Sequence, residues 1–390
     1  MQKINADLLI TNEGAPLTNA GITVDRNGRV LEIGQAFADA DVQAEVVIPG
    51  FVNAHTHLEL SHMAGLITER EDGMTGFISQ LLSKRFVVDE KERLAAMVRA
   101  DEAMYSDGIV AAGDISNGVE SASVKSKSRI YYHTFVELPG LDPDRAERIV
   151  AEGLVTAYQF REAYNLPASL SPHAPYSMSD ALLQELFSKV NYDEPVTIHV
   201  NESPDEVVFC EKGEGPMFDF FSKAGFIKED FQPFRVRPLE RVLRWLPRSN
   251  KCQLVHNVMA TNAEILTAVQ SHPQLFWCIC FNANQYITGI VPPVYDLFMA
   301  QAEITIGTDS LASNHQLSIL SELKAIHAMF PGIPFSEEVR WSSLNGARFL
   351  GLDHLCGSIK AGMKPGLLSL KNINPAQPSF GADVRVERLC

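Results

Sequence analysis

Short apolar runs alternate with longer amphipathic stretches through most of this 390-residue chain. The runs are rich in Val, Ile, Leu and Phe, which favours buried strands, and many of the stretches between them are long enough for a helix. Helical spacing is clearest at 73–88 and at 91–107, where Leu94, Met97 and Met104 form an apolar stripe. Eight runs are predicted to be strands, beginning at Val46 and continuing at 108–115, 129–137, 168–170, 196–200, 252–255, 275–280 and 304–306.

Strands that alternate with helices form parallel sheets, and eight such units predict an α/β fold of the (β/α)8 TIM barrel type. The first 45 residues instead contain short strands, with a hairpin turn at Asn27-Gly28. The last strand, 367–370, is predicted to complete the same small β subdomain, so that both chain termini build it. The predicted division is a β-sandwich-like subdomain from 1–48 plus 355–390, and a barrel at 49–354 with an insertion or lid at about 203–247.

The insertion is too long for an ordinary connection between a strand and a helix. Its central part, 209–234, is rich in phenylalanine and is interpreted as a lid or pocket wall rather than as a separate domain.

Composition narrows the class of partner. The formal net charge of −15 disfavours nucleic acid and anionic membranes, so a small-molecule substrate is expected, with a homodimer as the assembly considered. The first residues show no basic segment followed by an apolar core, and the six cysteines lack CxxC spacing. Reduced thiols and a cytoplasmic location are therefore expected.

Polar residues cluster directly after the predicted strands, where a barrel carries its active site. His55 and His57 are two residues apart on an extended segment, so both rings lie on one side of it and can share a metal ion. The other polar residues at strand ends are Asp114, Glu137, His173, His199, Glu202, His256, Asn282 and Asp309. Asp114 and Glu137 are given no catalytic role, because either could simply close hydrogen bonds inside the barrel mouth.

With these residues in view, the sequence resembles the metal-dependent amidohydrolase superfamily, and within it the cytosine deaminase and chlorohydrolase-like branch. The resemblance covers nearly the whole chain. It rests on PGFVNAHTH after the first barrel strand, SPHAPYS at 171–177, HVNES at 199–203, a histidine at 256, GTDS at 307–310 and the GSIKAGMKPG return. It implies metal ligation by His55, His57, His199 and Asp309.

One divalent metal per chain is expected, because the fourth strand ends in Ser171-Pro172-His173 without the lysine that two-metal relatives carry there. Imidazole together with a carboxylate suits both zinc and ferrous iron, and a catalytic site keeps one position for water. Zinc is the metal expected, with iron as the alternative.

The resemblance also implies roles for the remaining residues. Glu202 is similar to the glutamate that shuttles the proton of water to a ring nitrogen, and His256 to the histidine that holds the water. Asp309 would bind metal and accept a proton, which makes Glu202, His256 and Asp309 the catalytic set. The substrate-binding candidates are His173, which could equally order its loop, together with Asn282 and Asn284 in the divergent WCICFNANQYITG segment.

The leading hypothesis for the reaction is hydrolytic deamination of an aminated heterocycle. The HLELS segment after the second predicted ligand looks closer to that of aminodeoxyfutalosine deaminases than to those of guanine or cytosine deaminases, which favours an adenine-type nucleoside. Hydrolysis of a cyclic amide or imidazolone and chlorohydrolase-type displacement are the nearest alternatives. A non-catalytic scaffold of the same fold is the alternative of a different class.

Overall fold

The computed structural model describes residues 1–228 and 231–390. The strands in these residues are β1 (Gln2–Leu9), β2 (Leu17–Val24), β3 (Val30–Gln35), β4 (Val42–Ile48), β5 (Phe51–Thr56), β6 (Ile109–Ser116), β7 (Tyr131–Leu138), β8 (Ala168–Pro172), β9 (Val196–Val200), β10 (Cys252–His256), β11 (Leu275–Ile279), β12 (Glu303–Ile306), β13 (Leu368–Lys371) and β14 (Arg385–Arg388).

Helices follow most of the strands from β5 onward. They are α1 (Gly73–Lys84), α2 (Glu90–Ser106), α3 (Ala122–Lys125), α4 (Ala146–Tyr164), α5 (Asp180–Phe187), α6 (Pro204–Lys212), α7 (Pro216–Lys223), α8 (Pro238–Leu243), α9 (Asn262–Ser271), α10 (Phe281–Ile287), α11 (Val294–Met299), α12 (Ile319–Met329), α13 (Phe335–Trp341) and α14 (Leu344–Leu350). Within the described ranges, no helix has both the length and the apolar character needed to cross a bilayer.

Strands β5 to β12 form the barrel. β5 to β8 pair in parallel and in chain order, and so do β9 to β12. One seam between the two groups is closed where Thr56 forms a parallel bridge with Asp309. At the other seam, the backbone N–H of His199 donates to the carbonyl of His173 over 3.0 Å. The predicted (β/α)8 barrel is confirmed, and both seams lie at strand ends that carry candidate site residues.

The run that begins at Val46 is divided between two sheets. The run is predicted as the first barrel strand, but β4 ends at Ile48 in the terminal sheet and only β5 belongs to the barrel. Pro49 has no N–H for a sheet ladder. The N–H of Gly50 donates to Pro365 over 3.0 Å, and a side chain on Gly50 would come within 2.7 Å of that carbonyl oxygen. The break is therefore built into the junction between the two sheets.

Both chain termini contribute to one six-stranded sheet in the order β14-β13-β4-β1-β2-β3. β1 runs parallel to β4, and β13 runs antiparallel to it. Val46, Ile48 and Leu368 join the main barrel core, whereas Ile4 and Ile22 belong to a separate apolar cluster of the sheet. The subdomain from both termini is thus present, and the division at residues 48 and 355 stays a prediction.

The insertion between β9 and β10 contains α6, α7 and α8 around a phenylalanine cluster. The buried ring of Phe209 lies 5.6 Å from that of Phe221 and 5.4 Å from that of Phe231. This cluster packs on Tyr176 of the SPHAPYS segment and on Met74 of α1. Residues 229 and 230, inside the predicted lid, lie outside the described residues.

Arg241 of α8 ties the insertion to the SPHAPYS loop. Its guanidinium lies 3.6 Å from the centre of the Phe234 ring and donates to the carbonyls of Pro175 and Met178 over 2.7 and 2.8 Å. These contacts fix the insertion beside the fourth barrel strand, and its role as a lid stays a prediction.

Candidate active site

Three imidazoles meet at the mouth of the barrel. His55 and His57 leave β5 with their Nε2 atoms 3.2 Å apart, as period-two spacing on an extended segment requires. The ring of His199, at the end of β9, lies 4.8 Å from that of His55 and 5.5 Å from that of His57. One nitrogen of each ring lies within 4.8 Å of the others, which is close enough for a single metal ion to reach all three.

Asp309 adds a carboxylate to the three rings. Its Oδ1 lies 3.4 Å from His57 Nε2 and 3.9 Å from His55 Nε2. Ser313 donates to the other oxygen over 2.6 Å, and the Asp309 N–H donates to the His55 carbonyl over 3.1 Å. Asp309 also has a φ of 57°, a left-handed conformation that is uncommon for a residue other than glycine. A constrained turn thus holds the Asp309 carboxylate beside the imidazoles of His55 and His57.

The protonation of this cluster suits a metal ion. His199 Nδ1 lies 2.9 Å from the His173 carbonyl, so it carries the proton and leaves Nε2 with a lone pair. Burial lowers the pKa of His55 well below its usual value and lowers that of His57 to about 4, which makes both rings neutral near pH 7. Three neutral imidazoles and a carboxylate are a donor set typical of zinc or ferrous iron, so the residues fit the expected metal.

Glu202 and His256 lie on one side of these rings. Glu202 Oε1 is 3.2 Å from His256 Nε2, and both side chains come within 4.8 Å of the Asp309 carboxylate. Burial raises the pKa of Glu202 well above its usual value, and the nearby Asp309 and Glu206 carboxylates reinforce this effect. The three predicted catalytic residues are therefore neighbours.

Glu206, in the first turn of α6, holds the backbone that carries Glu202. Its carboxylate accepts the N–H groups of Asn201 and Glu202 over 3.0 and 2.6 Å, while Ser203 caps the helix by accepting the Glu206 N–H. Asn201 has a φ of 54°, so this turn is also strained. Glu206 is not among the residues predicted for the site, although Ser203-x-x-Glu206 has capping-box spacing.

Asn284 contacts His256 from behind. Its Nδ2 lies 3.0 Å from His256 Nδ1, and only 1% of its surface is exposed. An amide nitrogen only donates, so Nδ1 accepts and the ring proton of His256 is on Nε2, which faces Glu202. His256 itself has a φ of 76°. Asn284 was predicted to contact substrate, and in the structure it is buried against this histidine.

Asn282 pairs with a carboxylate of a neighbouring helix. Its Nδ2 donates to Glu322 of α12 over 2.9 Å, and its backbone N–H donates to the same carboxylate over 3.0 Å. This pairing engages both the side chain and the backbone N–H of Asn282, so the structure favours a structural role for it, and substrate contact by Asn282 stays a prediction.

His173 both orders its loop and borders the site. Its Nδ1 lies 2.6 Å from Ser177 Oγ, whose own proton goes to the Ala174 carbonyl over 3.1 Å. The ring lies 5.2 Å from that of His199 and remains partly exposed. The hydrogen bond to Ser177 shows that His173 orders its loop, and the partly exposed ring leaves substrate contact as a prediction.

Asp114 and Glu137 differ in their surroundings. Asp114 is fully buried, where it forms an ion pair with Lys125 and accepts the Leu58 N–H over 2.7 Å. Glu137 Oε1 lies 3.4 Å from His199 Nδ1, and Glu137 forms a possible ligand group with His173 and His199. Both residues lie at strand ends, but their spacing in the sequence does not reveal that Glu137 borders the imidazoles whereas Asp114 supports the turn after His57.

Comparison with known proteins agrees with this geometry. The model of the amidohydrolase family matches residues 46–386. A 5′-deoxyadenosine deaminase of Methanobrevibacter smithii is 21% identical over 91% of this chain and 80% of its own length. A 5-methylthioadenosine/S-adenosylhomocysteine deaminase of Carboxydothermus hydrogenoformans is 23% identical over 94% of this chain and 80% of its own.

Among solved structures, the aminofutalosine deaminase of Helicobacter pylori in complex with methylthio-coformycin superposes with a TM-score of 0.79. It is 21% identical, and the match covers 94% of this chain and 91% of that one. This likeness supports the fold, that is, a barrel with a terminal β subdomain.

Proposed function

Because this chain belongs to the amidohydrolase family, we propose that it is a metal-dependent hydrolytic deaminase that releases ammonia from an adenine nucleoside. The observation that carries the proposal is the grouping of Glu202, His256 and Asp309 within 4.8 Å of one another, beside three converging imidazoles. The deaminase names of the relatives support the same reaction class.

His55, His57, His199 and Asp309 would hold the cation. A divalent metal bound there would lower the pKa of a water molecule toward neutrality and so supply hydroxide for attack on the ring carbon that carries the amino group. The neutral rings leave their lone pairs available, and Ser313 keeps one oxygen of Asp309 engaged so that the other faces His55 and His57.

Glu202 moves the proton in this proposal. Its Oε1 would take a proton from the attacking water and pass it to the adjacent ring nitrogen, which removes aromatic stabilisation and prepares the carbon for loss of ammonia. His256, with Nε2–H directed to the same side, would donate to the attacking oxygen and stabilise its developing charge. Asp309 would accept the remaining proton and deliver it to the departing amine.

A groove beside Ser203 provides space for a substituent on the nucleoside. Its volume is about 710 Å³, within the range of small-molecule sites. Its walls come from the segments that follow β5, β9 and β11, and they include Met74, Ser203, Asp205, Phe220, Lys223 and Ile290. Ser203 directly follows Glu202, so this groove adjoins the candidate site.

The proposed substrate is aminodeoxyfutalosine or a closely similar adenine nucleoside with a large 5′ substituent. The HLELS segment supports this choice, as does the groove, which combines the apolar side chains of Met74, Phe220 and Ile290 with the exposed ammonium of Lys223. Zinc as the resident metal and a homodimeric assembly are further parts of the proposal.

The test is ammonia release by zinc-loaded and iron-loaded protein from adenosine, 5′-deoxyadenosine, 5′-methylthioadenosine and aminodeoxyfutalosine, with guanine and cytosine as controls. We expect release confined to the adenosine set and fastest with the largest 5′ substituent. If protein with one bound metal per chain releases no ammonia from any of these compounds, a hydrolase that does not release ammonia is favoured instead.

A further inference from the structure

Glu137 is a buried carboxylate at the edge of the site that the proposed reaction does not use. It lies near the end of β7, the third barrel strand, with 8% of its surface exposed. Its Oε2 accepts from Asn117 Nδ2 over 3.1 Å. Among the described residues, Oε1 makes no hydrogen bond, because its neighbour His199 Nδ1, 3.4 Å away, already donates to the His173 carbonyl.

A polar network holds this carboxylate in place. The backbone N–H of Asn117 donates to Glu59 over 3.0 Å, and Arg85 donates to the side-chain oxygen of Asn117 over 3.0 Å and also pairs with Glu59. The amide of Asn117 is thereby oriented with Nδ2 toward Glu137. One oxygen of Glu137 is occupied, and the other keeps its acceptor capacity.

Glu137 lies on the open side of the site. Asn117 is exposed, and His57 and His173 are the partly exposed imidazoles, whereas His55, His199 and His256 are buried. Glu137 is grouped with His173 and His199 and also acts electrostatically on His57. A ligand that approaches the imidazoles from solvent would therefore pass this carboxylate.

The position of Glu137 around the barrel indicates which part of a nucleoside it meets. The groups proposed to act on the amino edge of the ring follow the fifth, sixth and eighth barrel strands, as Glu202, His256 and Asp309. Glu137 lies on the third strand and Asn117 directly after the second, on the opposite arc of an eight-stranded ring. A purine with its amino edge toward the first set has its sugar directed away from it, toward the second.

We propose that Glu137, oriented by Asn117, forms a subsite that binds the vicinal 2′ and 3′ hydroxyls of a ribose. The inference rests on the proposed function and adds the sugar to it. A carboxylate only accepts hydrogen bonds, and a diol offers two O–H donors on adjacent carbons, so the free oxygen of Glu137 finds donors that the protein does not supply.

A second metal ion fits this position less well. His199 Nδ1 has no lone pair to offer, because its proton goes to His173, and His173 Nδ1 is paired with Ser177. Only one nitrogen of His173 and one oxygen of Glu137 are left, fewer than the three protein ligands of a catalytic zinc site.

The test compares 5′-methylthioadenosine with its 2′-deoxy and 3′-deoxy analogues on the zinc-loaded protein. We expect the wild type to prefer the ribonucleoside in kcat/KM by about 10- to 100-fold, the range of a hydrogen bond to a charged group. In Glu137→Gln and Glu137→Ala this preference should shrink toward unity, with metal content retained at one per chain. Calorimetric titration with 5′-methylthioinosine and its 2′-deoxy form should show the same loss of preference in binding alone.

Glu120→Gln is the matched control, since it makes the same change at an exposed glutamate of the loop after Asn117, and it should keep the wild-type preference. The proposal is overturned if the wild type does not distinguish the ribonucleoside from its deoxy analogues. It is equally overturned if Glu137→Gln lowers all three rates by the same factor, or if it loses the metal. If the wild type releases ammonia from the ribonucleoside and from its deoxy analogues at equal rates, only the diol subsite is disproved. If the wild type releases no ammonia from any nucleoside, the deaminase proposal is disproved as well.

Discussion

The amide of Asn284 lies behind the ring of His256, with Nδ2 and Nδ1 3.0 Å apart. Both residues are buried, and the contact leaves the His256 proton on Nε2, next to Glu202. A side chain on α10 thus decides which nitrogen of the proposed water-holding histidine can donate. Partners behind a functional histidine commonly have this effect on the tautomer.

We therefore predict that Asn284→Ala lowers kcat by about 10- to 100-fold with little change in KM, because the ring loses its fixed tautomer but the substrate loses no contact. Asn284→Asp should not restore the rate, since a carboxylate would accept a proton from Nδ1 and reverse the tautomer. Steady-state kinetics of the two variants at equal metal content measure both effects. A change in KM alone would place Asn284 against the substrate.

Different substitutions at the site should abolish metal binding and turnover separately. Asp309→Ala removes a carboxylate that faces two imidazoles, so the purified variant should contain little metal after dialysis. Glu202→Gln should keep one metal per chain and lose at least about 100-fold in kcat, because the amide cannot shuttle a proton. Elemental analysis alongside ammonia release checks this. Turnover at the wild-type rate in Glu202→Gln would remove the proposed proton shuttle.

Ser313→Ala offers an intermediate case. The hydroxyl donates to Asp309 Oδ2 over 2.6 Å, so its loss should leave that carboxylate less well oriented without removing a ligand. We expect metal affinity to fall by about 10- to 100-fold, as for other partners of metal ligands, measured by competition with a chelator. An unchanged affinity would mean that the turn through Asp309 positions the carboxylate without help from Ser313.

The sequence predicted the parts of this molecule that follow from local geometry. Period two puts His55 and His57 on one side of a strand, and parallel strands bring their polar ends to one mouth, so the barrel and the set of candidate residues could be anticipated. Asn282 and Asn284 could not be told apart, because the segment after Cys280 was not recognised as the helix α10. Residues two apart on a helix point about 200° from each other, so only one of the pair could face the barrel.

The sequence also does not predict which charged side chains are buried. Lys125 is the last residue of the four-residue α3, where a lysine ordinarily lies at the surface, yet it is 2% exposed. Its partner Asp114 comes from the barrel wall, and Ser116 and Thr134 accept from the same ammonium over 3.0 Å. Only the assembled barrel brings these groups together.

This buried pair supplies a stability prediction. Lys125→Met would leave the Asp114 carboxyl without its partner in the interior, and should reduce the free energy of unfolding by about 3–5 kcal/mol. Adding Asp114→Asn should recover much of that loss, because the amide oxygen can still accept the Leu58 N–H and carries no charge. Urea denaturation of both variants measures the difference. A double variant no more stable than Lys125→Met would show that the charge is not the cause.

Glu338 should make the stability of the protein depend on pH. It is buried on α13, and each of its oxygens lies 3.2 Å from His327 Nδ1 on α12. Burial raises the pKa of Glu338 from 4.5 to about 8 and lowers that of His327, so near neutrality a protonated carboxyl faces a neutral ring.

The folded protein therefore keeps a proton that the unfolded chain releases between about pH 4.5 and 8. The stabilisation that Glu338 provides is complete below this window and is lost as the pH rises through it, at no more than about 1.4 kcal/mol per pH unit. Glu338→Gln cannot ionise and can still donate to His327, so its thermal midpoint should rise relative to the wild type from pH 5.5 to 8. Glu337→Gln, the same change one residue earlier, is the control and should follow the wild type. Parallel curves for wild type and Glu338→Gln would show that Glu338 is already ionised in the fold and that its charge is stabilised by His327.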